Sequence, residues 1–313
     1  MTPRILWQTF IRWPADKQLT LIFPLAVTLT ALLAGDVRQW QPTENKAALS
    51  ALVLLLLLVV SSQLAFRRHW LAPRSEWLLR EFWPVPAMLI GYLTMRVLRL
   101  ELVMQTLAIP LRDNAMLAFD QALFGNALPV LLQPVIGPRM SLWMESSYLH
   151  FYYALPIGLL LLLFWRQQDE YFLRLRKAVL YTLTCGFVLY FFVPVRGPGD
   201  AMAHLFSVSL GSQNAVVYDA VNSFRYAYDC FPSLHTAIPW VTLLTAWPWL
   251  GWPLRLLALL MTLSITLSTL YLRYHYGADV VAGILLALVI AGLLKRPAIR
   301  VQDTSISVPA DCA

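Results

Sequence analysis

Long apolar runs with few or no charged residues alternate with short polar connections along most of this chain. Each run is about 18 to 20 residues long, the length that an α-helix needs to cross the hydrocarbon core of a bilayer. Because a helix satisfies its backbone hydrogen bonds within one segment, the pattern predicts an all-α, polytopic membrane protein. The plainest runs are Gln18–Gly35, Ala47–Phe66, Ser146–Trp165, Ala178–Val195, Phe231–Leu250, Pro253–Leu272 and Tyr276–Leu294.

A further apolar run starts near Phe82, but charged residues interrupt it. The 14 uncharged residues that precede Arg96 would form a helix about 21 Å long, which is too short to cross a bilayer. If the helix continues to about Ile109, Arg96 and Arg99 lie within the membrane and face protein or water, which makes Arg99 a candidate substrate-binding residue. If the helix ends at the charges, both arginines extend towards the interface. With this run included, the sequence predicts eight transmembrane helices.

The segment before the fourth predicted span has a different pattern. Residues Arg112–Pro138 are amphipathic and contain Gly125, Pro129 and Pro134, which interrupt helices. The pattern predicts short interfacial or re-entrant helices rather than another span.

Composition and charge agree with a membrane protein. Of the 313 residues, 59% are hydrophobic and 13% are charged, whereas soluble domains carry about 25% charged residues. The net charge of +7 does not indicate nucleic-acid binding, because the basic residues lie in short connections between spans. With both termini in the cytoplasm these connections satisfy the positive-inside rule, and we expect a multi-pass protein of the bacterial inner (plasma) membrane. The basic residues concerned are Arg67, Arg68, Arg74, Arg80, Arg166, Arg174, Arg176, Lys177, Arg255, Lys295 and Arg296.

Two segments place histidines beside polar residues at the ends of apolar runs. They are "DCFPSLHTA", Asp229–Ala237, and "YLRYHYGADV", Tyr271–Val280. In the second, Asp279 follows His275 by four residues, a spacing that puts both side chains on one face of a helix. A carboxylate that accepts the proton of one imidazole nitrogen leaves the other nitrogen available as a nucleophile or base. His235 in the first segment is then a candidate proton donor to a leaving group.

Other polar residues predicted near the same outer face suit the binding of a phosphate. Arg196 and Arg273 can hold phosphate oxygens through two parallel hydrogen bonds each, and His150 lies at the outer end of the fourth predicted span. Ser233 suits the cap of a helix, whose N-terminus is itself favourable for phosphate. The three cysteines form neither a disulfide framework nor a metal-ligand spacing, since they are scattered at Cys185, Cys230 and Cys312.

These motifs carry a resemblance to a known family. "PSLH" together with "YLRYHYGADVVAG" resembles the second and third signature motifs of the type-2 phosphatidic acid phosphatase superfamily. Two further segments, "DQALFG" at Asp120–Gly125 and the tyrosine-rich "YLHFYY", are similar to the branch of that superfamily that contains inositol phosphorylceramide synthases. The resemblance covers roughly residues 110–292 and does not extend to the first three predicted spans.

The resemblance implies a six-helix catalytic core and a phosphohistidine mechanism without a metal or other cofactor. By position, His275 would be the nucleophile on phosphorus and Asp279 would orient it. His235 would protonate the leaving oxygen, Ser233 would bind phosphate, and Arg196 would match the arginine of the first motif. The implied substrate is a lipid phosphate or a phospholipid head group.

Several departures from the superfamily motifs concern phosphate binding rather than the histidines. Leu189 stands where the first motif has lysine, and Gly197 separates Arg196 from the proline that follows. A leucine replaces the usual glycine of the second motif. Thr269 occupies the arginine position of the third motif, and an arginine is found instead at Arg273. These departures favour the synthase-like branch over a plain phosphatase.

The sequence therefore predicts three regions: N-terminal spans at 1–109, a catalytic membrane domain at 110–295, and a cytoplasmic tail at 296–313. The predicted function is cleavage or transfer of a phosphoester-linked head group at the outer face. Two alternatives stay open, a polytopic transporter whose intramembrane charges line a path and an inactive relative that retains lipid binding. The lipid, the acceptor and the oligomeric state are not determined by the sequence.

Overall fold

The computed structural model describes residues 10–34, 72–210 and 225–295, together with residues 50, 53 and 57. Within these ranges the backbone is helical and contains no β-strand, and a single β-bridge pairs Val195 with Asp229. The all-α class predicted from the sequence is confirmed. The longer helices are α1 (Ala15–Ala34), α2 (Pro73–Phe82), α3 (Pro84–Val97), α4 (Leu100–Thr106), α5 (Asp113–Phe124), α6 (Pro138–Trp165), α7 (Asp169–Phe192), α8 (Leu234–Ala246), α9 (Trp252–Tyr271) and α10 (Gly277–Leu294).

Four of these helices, α6, α7, α9 and α10, are long and apolar enough to cross a membrane. Helix α8 is also apolar but has 13 residues, fewer than the predicted span Phe231–Leu250. The predicted second span, Ala47–Phe66, lies almost wholly outside the described residues, and so does the tail at 296–313. The structure thus supports a membrane protein, while the count of eight spans stays a prediction.

The interrupted third run forms two helices rather than one. Helix α3 ends at Val97, and Arg99 has a left-handed backbone with a φ of 49° before α4 begins. The Arg99 Nε lies 3.6 Å from Glu101 Oε1, and the Arg99 side chain is 36% exposed. The sequence allowed a helix that continues past the charges or one that ends there, and the chain instead turns at Arg99 and resumes as a short helix.

The amphipathic segment before α6 forms short helices, as predicted. Helix α5 ends at Gly125, whose φ of 80° is favourable only for a residue without a Cβ. A helical turn at Leu128–Leu131 and a 3₁₀ turn at Gln133–Val135 follow, each with a proline near its start.

Helix α8 lies at the centre of the bundle, in contact with α6, α7, α9 and α10. A Cβ at Gly186 of α7 would lie 2.5 Å from Leu234 Cδ2, and a Cβ at Gly283 of α10 would lie 2.6 Å from Ser233 O. Because glycine has no Cβ, Gly186 and Gly283 let α7 and α10 approach the start of α8 more closely than a larger residue at either position would allow. This close packing fixes the part of α8 that carries His235.

A buried cluster of charges joins the N-terminal helices to α7. Arg176 of α7, with a side chain 1% exposed, donates Nη2 and Nε to Asp16 Oδ2 of α1 at 2.6 and 3.0 Å. Its Nη1 donates to the carboxylate of Glu81 on α2, which also pairs with Lys17 Nζ at 2.9 Å. Two cations and two anions balance, which is the condition under which buried charges are tolerated.

Removal of the Arg176 guanidinium should destabilise the protein strongly. Arg176→Met leaves the carboxylates of Asp16 and Glu81 buried without their main partner, and breaking such a pair costs about 3–5 kcal/mol. We expect the thermal unfolding midpoint in detergent to fall by roughly 10 °C. Arg174→Met, two residues away, removes a pair with the exposed carboxylate of Glu170 and should cost less than about 1 kcal/mol. Equal effects of the two substitutions would contradict a structural role for the cluster.

Candidate active site

Three chain segments meet at the end of the bundle where α7 and α9 finish and α8 and α10 begin. Gly199 N–H donates to Arg273 O at 2.9 Å, which joins the connection after α7 to the connection between α9 and α10. Ser233 N–H donates to Asp279 O at 3.0 Å, which joins the start of α8 to the start of α10. The two histidine segments singled out in the sequence are therefore in direct contact.

The His275–Asp279 pair forms, although not on one continuous helix. His275 precedes α10, in a connection where Arg273 has a left-handed φ of 63° and Tyr276 is extended. Asp279 lies in the first turn of α10, where its Oδ2 is 3.4 Å from His275 Nδ1 and accepts a hydrogen bond from Tyr276 N–H at 2.9 Å. His275 is 3% exposed and Asp279 is fully buried. The carboxylate faces Nδ1, which leaves Nε2 as the nitrogen available to a substrate.

Burial decides the protonation state of His275. It lowers the pKa of His275 to about 3, because an imidazolium would be poorly solvated at this position. The charge of Asp229 and the backbone of Cys230 oppose this shift, whereas the positive charge of Arg225 adds to it. His275 is therefore neutral at physiological pH, the state in which an imidazole is nucleophilic.

His235 lies in the first turn of α8 and stacks against two tyrosines of α6. Its ring centroid is 3.9 Å from that of Tyr148 and 4.0 Å from that of Tyr152. Tyr148 belongs to a π-helical turn at Ser147–Phe151 and Tyr152 follows it directly; such turns are frequent at functional sites. The ring centroids of His235 and His275 are 6.4 Å apart, so that one phosphoryl group can contact both imidazoles.

Three of the predicted binding residues face other surroundings. The Arg196 side chain is exposed, and its backbone N–H donates to a carboxylate of α5. The Arg273 guanidinium lies 4.2 Å from the ring centroid of Phe206 and donates to Val208 O, in the loop after α7. His150 is exposed on α6. Substrate binding by these three residues stays a prediction.

Ser233 acts as the cap of α8. It is fully buried, and its Oγ accepts hydrogen bonds from Thr236 N–H at 3.2 Å and Thr236 Oγ1 at 3.1 Å. Capping is the role that the sequence allowed beside phosphate binding, which stays a prediction. Arg99 lies at the break between α3 and α4, outside both histidine segments, and its binding role is likewise untested.

Sequence reasoning missed an ion pair beside the histidines. Arg225 Nε donates to Asp229 Oδ1 at 2.9 Å, and the two side chains are 12% and 15% exposed. Tyr92 of α3 donates its hydroxyl proton to Asp229 Oδ2 at 2.7 Å. The i,i+4 spacing of Arg225 and Asp229, directly before "CFPSLH", was a signal that could have found the pair. No local pattern marked Tyr92.

Two further carboxylates, both on α5, hold the backbone of the site. Asp120 is fully buried and accepts hydrogen bonds from Gly277 N–H and Ala278 N–H at 2.8 Å each, which satisfies the first turn of α10. Asp113 accepts a hydrogen bond from Gly197 N–H at 3.0 Å. Asp120 follows Asp113 by seven positions, so the two aspartates lie on one face of α5.

The arrangement suits nucleophilic attack on phosphorus with accompanying proton transfer. It combines a neutral imidazole that faces a carboxylate at 3.4 Å, a second imidazole within reach, and a guanidinium whose charge acts on both imidazoles. Within the described ranges, no group of three or more His, Cys, Asp or Glu side chains is placed to hold a metal ion.

Comparison with known proteins identifies a family. No curated protein and no solved structure matches the chain. The model of the PAP2 superfamily, whose members are phosphatases and phosphotransferases acting on phosphorylated substrates, matches residues 114–293. The match does not identify the synthase-like branch, which stays a prediction. Because the matched region spans more than half of the chain and includes His235, His275 and Asp279, the protein belongs to the PAP2 superfamily.

Proposed function

We propose that this protein is an integral-membrane enzyme that cleaves or transfers a phosphoester-linked head group of a lipid phosphate or phospholipid through a phosphohistidine intermediate. The observation that carries the proposal is the pairing of His275 with Asp279 beside a second imidazole, His235, at 6.4 Å between ring centroids. Superfamily membership supports the phosphoryl-transfer class, and the long apolar helices support a substrate that reaches the site from a membrane. The site lies at the end of the bundle that the positive-inside rule assigns to the outer face.

In the first step, Nε2 of neutral His275 attacks phosphorus in line with the leaving oxygen. The P–N bond forms as the P–O bond breaks, and the imidazolium of His235 donates its proton to the leaving oxygen. Asp279 orients His275 through Nδ1–H and stabilises the positive charge that develops on the ring. The faces of Tyr148 and Tyr152 attract positive charge and so partly offset burial and the nearby charge of Arg225, which both disfavour the cationic form of His235.

In the second step, His235 accepts a proton from water or from an acceptor alcohol. The oxygen of that acceptor attacks phosphorus as the P–N bond breaks, which returns His275 to its neutral form and His235 to the imidazolium. Water as the acceptor makes the enzyme a phosphatase, and a lipid or polyol hydroxyl makes it a transferase. In either case the rate enhancement comes mainly from positioning and from neutralisation of charge.

Transfer to an alcohol, as in the branch that contains inositol phosphorylceramide synthases, is the version that the motif departures favour. Thr269, at the arginine position of the third motif, is fully buried and donates to Thr266 O. Leu189, at the lysine position of the first motif, is uncharged. The tyrosines of "YLHFYY" pack on His235, which supports a role for this segment in the chemistry of that branch.

Removal of the nucleophile should abolish the reaction. Detergent-purified wild type and His275→Ala are assayed for phosphate release from a panel of lipid phosphates, and for head-group exchange between labelled phospholipid and added alcohols. We expect wild-type turnover in one of the two assays and none above background for His275→Ala. His204→Ala, which removes an exposed histidine, is the matched control and should retain wild-type turnover. Turnover that survives in His275→Ala would contradict the phosphohistidine mechanism.

Substitution of His235 should slow the reaction by a factor that depends on how much the leaving group needs a proton. We expect His235→Ala to lower the rate with an alkyl leaving group by about 10²- to 10⁴-fold, the usual contribution of a general acid. With a 4-nitrophenolate leaving group, which needs little protonation, the loss in the first step should be much smaller. Equal losses with both leaving groups, measured as the rate of phosphoenzyme formation, would show that His235 is not the acid.

The pH dependence of phosphoenzyme formation tests the state of His275. With a pKa of about 3, the imidazole is neutral throughout the range used. Bis(4-nitrophenyl) phosphate keeps a single negative charge in this range, so its own titration does not contribute. We expect the rate to change by less than about threefold between about pH 5 and about pH 7, whereas a histidine with the ordinary pKa of about 6.5 would lose more than about tenfold. The measurement is made on His235→Ala, so that the other imidazole does not contribute to the pH dependence. A loss of rate of about tenfold between about pH 7 and about pH 5 in this variant would contradict the assignment of a neutral His275.

A further inference from the structure

Arg225 is held inside the site by contacts that leave part of its guanidinium available. Its Nε donates to Asp229 Oδ1 at 2.9 Å, and its Nη2 donates to Arg196 O at 2.7 Å. Nη2 also lies 3.2 Å from Cys230 Sγ. The contact found for Nη1 within the described residues is longer, 3.6 Å to Asp200 Oδ2. Nη1 is therefore the part of the guanidinium that can donate to a bound anion.

The surroundings of Arg225 suit a phosphate. Its side chain is 12% exposed, so water screens its charge only weakly, whereas the side chain of Asp200 is 59% exposed and can turn towards water. The guanidinium lies 5.2 Å from the ring centroid of Tyr274, the neighbour of His275 in the chain. Its charge acts on both His235 and His275. An anion bound at Nη1 would thus lie close enough to both imidazoles to interact with them electrostatically.

The other positions that could supply a cation are uncharged or placed less favourably. Leu189 and Thr269 stand at two of the superfamily's basic positions and carry no charge. The side chain of Arg196 is exposed, and that of Arg273 packs over Phe206. Among the arginines of the described ranges, Arg225 combines burial with an electrostatic effect on both histidines.

Tyr92 connects Arg225 to the N-terminal helices. It lies on α3, outside the residues 114–293 that match the PAP2 superfamily. Its hydroxyl donates to Asp229 Oδ2 at 2.7 Å and accepts a hydrogen bond from Tyr226 N–H at 3.0 Å. Its ring centroid is 5.4 Å from that of Phe187 on α7, which holds the tyrosine in place. Tyr92 thereby holds both the carboxylate that orients Arg225 and the peptide next to Arg225.

We propose that Arg225 binds the substrate phosphate in this site and that Tyr92 is a positioning residue that acts through Asp229 and Arg225. This inference rests on the proposed function and names the side chain whose positive charge binds the phosphate of the substrate. Nη1 donates to a non-bridging phosphate oxygen and takes the place of its contact with Asp200, so that the guanidinium neutralises charge beside His275. The N-terminal helices then complete a site that the matched region holds only in part.

Binding of orthovanadate, an analogue of phosphate, tests Arg225 without requiring turnover. The Kd is obtained from the rise in the thermal unfolding midpoint of the full-length protein in detergent. We expect Arg225→Gln to weaken binding by about 10- to 100-fold and Arg225→Lys to weaken it less, since lysine keeps the charge but not the planar group. Arg255→Gln, at the other end of α9, is the matched control and should bind like wild type. Equal Kd values for Arg225→Gln and Arg255→Gln would overturn the proposal.

Asp200→Asn gives a second test that leaves the Arg225–Asp229 pair intact. Loss of the competing carboxylate should tighten orthovanadate binding by about 3- to 10-fold, because Nη1 no longer has an anionic partner to exchange. The gain should be lost when Arg225→Gln is already present, whereas a general repulsion between Asp200 and the anion would persist in that background. An unchanged or weaker affinity would overturn the assignment of Nη1 to phosphate.

Tyr92→Phe removes one hydroxyl and keeps the ring. We expect orthovanadate binding to weaken by about 3- to 10-fold in the wild-type background and by less than about 2-fold when Arg225→Gln is already present. The unfolding midpoint without orthovanadate is recorded for each variant, so that stability and affinity are separated. The same loss of affinity in both backgrounds would show that Tyr92 does not act through Arg225.

Turnover assays on the same preparations separate this proposal from the proposed function. Arg225-dependent binding of orthovanadate by a wild type that shows no turnover would support the phosphate site and count against the enzyme. Turnover that depends on His275 but has the same KM and kcat in Arg225→Gln would support the enzyme and overturn the role of Arg225. Wild type that does not bind orthovanadate would overturn the phosphate site.

Discussion

Buried carboxylates that accept hydrogen bonds from backbone N–H groups hold the candidate site together. The first turn of a helix has N–H groups without intrahelical partners, and where they are shielded from water another part of the protein must satisfy them. At the start of α10, Asp279 binds Tyr276 N–H and Asp120 binds the next two N–H groups. Asp113 binds the backbone of the loop after α7 in the same way. Because Asp120 and Asp113 connect α5 to segments far apart in the chain, their bonds hold the start of α10 and the loop after α7 against the same helix.

Burial has two opposite consequences within this small region, and the proposed chemistry uses both. A histidine that is buried loses its affinity for a proton, so that His275 is neutral and available as a nucleophile. A guanidinium does not lose its proton under the same conditions, so that Arg225 keeps its charge and is paired with Asp229. Attack on an anionic phosphate requires a neutral nucleophile beside a cation. Protonation of the imidazole would use the lone pair that attacks phosphorus, whereas the guanidinium supplies positive charge without taking part in the attack.

The helices that precede the matched region take part in this arrangement at both ends of the bundle. At one end, Arg176 joins α1 and α2 to α7 through buried ion pairs. At the other, Tyr92 of α3 contacts the acidic partner of Arg225. The two histidine segments therefore do not form their surroundings alone, and the contacts of α3 explain how residues without a recognisable motif can influence the candidate site.

The sequence by itself determined the helical membrane class, the two histidine segments and the pairing of His275 with Asp279. Apolar runs of spanning length and an i,i+4 spacing are local properties of the sequence, so they can be read without knowledge of the tertiary contacts. It did not determine that His275 lies before α10 rather than on it, because the left-handed conformation of Arg273 accompanies a backbone bond to Gly199 in another segment. Arg225 was visible in the sequence only as one charge among many. The tertiary structure decided its importance, because the energy of a buried charge depends on the partners that surround it. Those partners come from the loop after α7 and from the segment that precedes α8, and Tyr92 of α3 in turn contacts Asp229.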